Sequence, residues 1–99
     1  MSVMKRDDAL AVLREIKEDL GTKYGVLEIG VFGSVARDEA EEYSDVDVCV
    51  KTRTPNAFAI VHIKEELECL MRKKVDIVRI REKMNPYLRE RIEKEGIYV

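Results

Sequence analysis

Residues 26–51 read VLEIGVFGSVARDEAEEYSDVDVCVK. The stretch opens on a strand-like run, Val26 to Phe32, which breaks at Gly33-Ser34 and passes into a short polar helix through about Ala40. A second strand runs from Asp45 to Lys51 in strict alternation, with Asp45, Asp47 and Cys49 on one face and Val46, Val48 and Val50 on the other. One face is core, and the other starts acidic. Aspartate is disfavoured inside strands, so two of them alternating with valines call for a compensating partner. Residues i and i+2 of a strand project to the same side about 6.5 to 7 Å apart, which lets two carboxylates converge on a hard cation that prefers oxygen ligands. A solvent-facing edge strand that happens to carry two acids also fits a lone Asp-x-Asp.

Gly33-Ser34 adds weight to the cation. A strand-to-helix junction offers free backbone N–H groups to a phosphate; Gly33 permits close approach and Ser34 adds a hydroxyl. The same dipeptide also fits an ordinary turn with Ser34 as an N-cap. Further on, Asp76 opens a third strand, Val75 to Ile80, and shares a face with Val78 and Ile80. If the second and third strands are neighbours, Asp76 can approach Asp47 and complete a triad able to bind two metals and help deprotonate an attacking hydroxyl. An ion pair with Lys73, Lys74 or Arg79 is the alternative for Asp76.

Outward from this centre the periodicity turns helical. Leu10, Leu13, Ile16 and Leu20 predict a helix from about Asp7 to Leu20 that Gly21 stops. Thr54-Pro55 supplies an N-cap and first-turn proline for a helix through about Met71, with Phe58, Val61, Leu67 and Leu70 among its apolar positions. A last helix, Pro86 to Glu95, is closed by Gly96 before the apolar tail Ile97-Tyr98-Val99. Helical and strand periods alternate throughout, and there is no internal repeat or linker. We therefore expect one α/β (α+β) domain over residues 1–99, with a small mixed sheet of three to four strands packed with helices.

Composition narrows the function classes. With 99 residues, 45% hydrophobic and 38% charged, the chain has the makings of a modest core. No apolar run reaches the roughly 20 residues of a membrane span, and Met1-Ser2-Val3-Met4-Lys5-Arg6 lacks the apolar stretch of a signal peptide, which predicts a cytoplasmic protein. Cys49 and Cys69, without CxxC spacing and with a single histidine, His62, read as small core residues. A net charge of -2 with both signs scattered excludes the basic field that dominates binding to long nucleic acid. Glutamine is absent while Lys, Arg and Glu abound, a bias that fits a thermophile.

Gly33-Ser34, ten residues, then Asp45-Val46-Asp47 resembles the signature of the minimal nucleotidyltransferases, the smallest members of the DNA polymerase beta superfamily. The order of elements resembles that family over nearly the whole chain. The resemblance implies a polymerase beta-like nucleotidyltransferase fold. It also implies a triphosphate held at Gly33, Ser34, Arg37 and Ser44, and Mg²⁺, two ions, bound by Asp45, Asp47 and Asp76. Asp38 stands where the family's Ala-Arg-Gly segment has its glycine, a departure that bears on the local turn. Arg37 either reaches a phosphate or pairs with Glu41 one turn later.

The implied reaction moves AMP from ATP to a hydroxyl, with pyrophosphate leaving. A chain this short has no room for an acceptor-binding domain, so another protein or a second copy must bring the acceptor. In the family that partner is often a helical HEPN protein whose tyrosine is modified, the transferase acting as antitoxin. The competing class is a noncatalytic module that neutralises a partner by contact alone; three intact acids count against it. Tyr24, Tyr43, Tyr87 and Tyr98 are candidate self-modification sites or ordinary structural tyrosines.

Overall fold

Strand geometry sorts the side chains of the second strand as their alternation requires. In the computed structural model, which describes residues 3–99, Val46, Val48 and Val50 are fully buried in one cluster, while Cys49 lies in another on the opposite face. The chain runs α1 (Arg6–Tyr24), β1 (Val26–Phe32), α2 (Gly33–Ala36), β2 (Val46–Thr52), α3 (Ala57–Met71), β3 (Val75–Arg79), α4 (Pro86–Glu95), β4 (Ile97–Tyr98). The four strands form one mixed sheet in the order β3-β2-β1-β4. Strand β2 is antiparallel to β1 and parallel to β3, and β4 pairs antiparallel with β1, so the expected apolar tail is the fourth strand.

Helices α1 and α3 cover one face. Leu10, Leu13 and Leu20 of α1 and Ile63, Leu67 and Met71 of α3 pack on Ile29, Val31 and the β2 valines. On the other face Ile92 of α4 joins Phe32 and Cys49, with Val78, Ile80, Met84 and Leu88 at the margin. Burial of these apolar surfaces is the main favourable term in folding.

Five expectations are corrected. Cys69, read as a core residue, is exposed, whereas Cys49 is buried. Helix α1 continues through Gly21 to Tyr24 and is stopped by Gly25, whose φ of 70° gives the left-handed residue that closes a helix. Tyr24 stacked on His62, and Lys23 bridging to Asp19 and Glu66, hold the added turn. Asn56, not Thr54, caps α3, its Oδ1 accepting from the Ala59 N–H at 3.2 Å; Pro55 precedes the helix. Of the apolar positions named on α3, only Leu67 is buried; Phe58, Val61 and Leu70 are exposed, and the buried row is Ala59, Ile63, Leu67, Met71. Lastly, α2 stops at Ala36 rather than near Ala40, because Asp38 turns the chain with a φ of 61°. That left-handed conformation is why glycine suits the position. Aspartate tolerates it, and here its carboxylate accepts from the Arg6 N–H at 3.1 Å, a cap for α1 that glycine could not supply.

Candidate active site

The parallel register of β2 and β3 sets Asp47 directly beside Asp76. Across the antiparallel pair, Asp47 faces Phe32, the last residue before Gly33. Three elements therefore bring their chemistry to one end of the sheet, on the face that α4 covers. Asp45 immediately precedes β2 and is exposed, as is Asp76 at the second position of β3; Asp47 is half-buried between them. Among the described residues none of the three carboxylates has a basic side chain within 4.0 Å, so the expected alternative pairing of Asp76 with Lys73, Lys74 or Arg79 is not formed.

Asp47 bears the strain of this arrangement. Burial pushes its pKa above the ordinary carboxylate value, and the neighbouring Asp76 charge pushes the same way. Arg91 pulls it down, Asp45 adds a smaller upward push, and Arg37 a smaller downward pull. Gly33 makes room for the group. Its φ is 73°, and a Cβ on it would land on Oδ2 of Asp47, so this turn needs glycine for its backbone conformation and for its contact with Asp47.

The positive side of the site comes from Gly33, Arg37 and α4. The Gly33 N–H donates to Glu95 Oε1 at 3.0 Å, and Arg37 Nη1 donates to the same oxygen at 2.9 Å. Arg37 Nε also reaches Glu39 at 3.0 Å, so its partners are Glu39 and Glu95 rather than Glu41. One helical turn before Glu95, the Arg91 guanidinium lies over the Phe32 ring, 5.5 Å from its centroid. Ser34 is half-buried at the start of α2. Ser44 is engaged locally, its Oγ accepting from the Glu41 N–H at 2.9 Å. Beyond Asp45 and Asp76 opens a cleft of about 840 Å³, lined also by Tyr43, Lys64 and Arg72.

Sequence reasoning missed Phe32, Arg91 and Glu95. No motif signals them; Glu95 reaches Gly33 from 62 residues away. Among the described residues no three His, Cys, Asp or Glu side chains are gathered tightly enough to hold a metal ion by themselves. Mg²⁺ does not require such a cage, since it binds through one or two carboxylates with water and substrate phosphates completing the octahedron. An acidic group without basic partners, one member destabilised by its neighbours' charge, fits that donor set.

The nucleotidyltransferase domain family model matches residues 13–99. Protein adenylyltransferase MntA of Thermococcus cleftensis is 33% identical over 100 residues, with all of both chains covered. A solved structure assigned to the minimal nucleotidyltransferases superposes with a TM-score of 0.75 at 36% identity, covering 95% of each chain. A chain from the complex of tri-AMPylated Shewanella oneidensis HEPN toxin with MNT antitoxin superposes at 0.69 with 18% identity, over 94% of this chain and 70% of that one; at that identity the likeness is one of fold.

Proposed function

The chain belongs to the nucleotidyltransferase domain family, and from that premise we propose that it transfers AMP from ATP to a tyrosine hydroxyl of a helical HEPN-type partner, acting as its antitoxin. It is an enzyme, a nucleotidyltransferase, with residues 1–99 acting as one catalytic domain in the cytoplasm. The observation that carries the reading is the placement of Asp47 beside Asp76 and against Gly33, in an acidic group that lacks basic partners. The similarity to an MntA adenylyltransferase over its full length, and to a chain from a complex with an AMPylated HEPN toxin, supports the choice of nucleotide and acceptor.

Two Mg²⁺ ions would be held by Asp45, Asp47 and Asp76, each through one or two of these carboxylates, and when bound they would supply charge stabilisation for the attacking and leaving oxygens. The protein's own groups do the rest. Gly33 N–H, the Ser34 hydroxyl and Arg37 bind the triphosphate and hold its α-phosphate toward the acids. Ser44, next to Asp45, keeps the turn that delivers that carboxylate. Asp76 is exposed toward the cleft, where it can orient an incoming hydroxyl and accept its proton.

Asp47→Asn tests the reading, because it keeps size and strand geometry but removes a charge at the centre of the site. Transfer of labelled nucleotide from ATP to the purified partner is expected to fall by at least about 100-fold, with the circular dichroism spectrum unchanged. Undiminished transfer would overturn the role of Asp47. Neutralisation of the partner by a variant that transfers nothing would favour the noncatalytic module instead.

A further inference from the structure

The carboxylate of Glu95 occupies the groups to which the triphosphate is assigned above. Its Oε1 accepts at once from the Gly33 N–H, at 3.0 Å, and from Arg37, at 2.9 Å. The Glu95 side chain is only 24% exposed and its bond to Gly33 is part-buried, while the bond to Arg37 lies toward solvent. A carboxylate oxygen and a phosphate oxygen are anionic acceptors of the same kind, and an N–H aligned on one is not free for the other.

We propose that Glu95 is a resident counter-anion of the phosphate site, holding Gly33 N–H and Arg37 in the ligand-free protein and yielding them to the triphosphate. This rests on the reading of the Gly33 turn as the phosphate site. Glu95 thereby sets nucleotide affinity without touching the reacting atoms, because a phosphate that takes the Gly33 N–H and the Arg37 Nη1–H must first replace the two hydrogen bonds that Glu95 accepts from them. Once displaced, the carboxylate has a cation within reach. Arg91 is four residues earlier on the same helix, a spacing at which side chains meet, and its guanidinium has no carboxylate within 4.0 Å among the described residues. Phe32, under Arg91 and adjoining Gly33, keeps that cation beside the site. The opposite role, in which Glu95 stays in place and orients Arg37 toward the nucleotide, predicts effects of opposite sign.

Glu95→Ala and Glu95→Gln decide between them. Calorimetric titration of the full chain with Mg–ATP is expected to show roughly three- to tenfold tighter binding in both variants, Ala more than Gln. Without ligand both variants melt below the wild type, and at saturating Mg–ATP that difference closes, since the bound protein no longer uses the contact. Unchanged or weaker binding in the variants, with normal binding by the wild type, overturns the counter-anion role alone. Failure of wild type and both variants to bind Mg–ATP overturns the phosphate-site reading and this inference with it.

Discussion

Asp47 is at odds with its own fold. Burial and the Asp76 charge raise its pKa, so the folded state disfavours the ionised form that prevails at neutral pH. A raised folded pKa means that the contribution to stability is fully present below the unfolded value, about 3.8, and is lost as pH rises through the folded one. In chelator, Asp47→Asn is therefore expected to melt above the wild type at about pH 7, by less than about 1 kcal/mol, the gain shrinking toward zero near pH 3.8. Melting curves of both proteins across that range provide the check; an Asn variant less stable than wild type at neutral pH would mean that Asp47 has a stabilising partner. Asp38 makes the complementary point. Its left-handed backbone is tolerated at a position suited to glycine, while its carboxylate caps α1.

At the scale of elements, α3 shows how burial selects among apolar residues that periodicity alone leaves equivalent. The helix carries apolar side chains nearly all round, and the sheet takes only the row Ala59, Ile63, Leu67, Met71. Ile63 is fully buried, whereas Phe58 is 80% exposed. Ile63→Ala removes packed methyl groups from the centre of the core and is expected to cost about 2 to 4 kcal/mol, while Phe58→Ser changes stability by no more than about 0.5 kcal/mol. Urea denaturation of the two variants tests the assignment, and comparable losses would show that the buried row had been misidentified. Helix α4 works differently. Its apolar side, through Ile92, anchors it on Phe32 and Cys49, and that anchorage carries Arg91 and Glu95 to the end of the sheet where the acids lie.

For the whole molecule the arrangement is one of opposed groups gathered at one end of a sheet: acids at the starts of β2 and β3, the proposed phosphate donors at the end of β1. On the proposed reading, Mg²⁺ and a triphosphate would each be poorly accommodated alone, since the metal would lack its phosphate ligands and the phosphate would face uncompensated carboxylates. Together they would be complementary. Mg²⁺ with ATP is accordingly expected to raise the melting temperature by more than the two separate shifts combined. Scans of the protein with each ligand and with both measure this directly, and a nucleotide shift indifferent to Mg²⁺ would count against a metal-bridged site.

The strand, the Gly33-Ser34 break, the alternating β2 and the family they belong to were legible in the sequence, because each depends on residues within about a dozen positions and on the period of a strand. The bounds of β1 and α4 follow for the same reason, from local propensity and capping. The pairing of Asp47 with Asp76 was legible only as a condition, that their strands be neighbours, and the sheet order meets it. What the tertiary structure alone decided is where α4 lies. The Glu95 carboxylate on Gly33 and Arg37, the Arg91 cation over Phe32 and the buried row of α3 all depend on packing between elements distant in the chain, and no local period or spacing encodes the angle at which one element meets another.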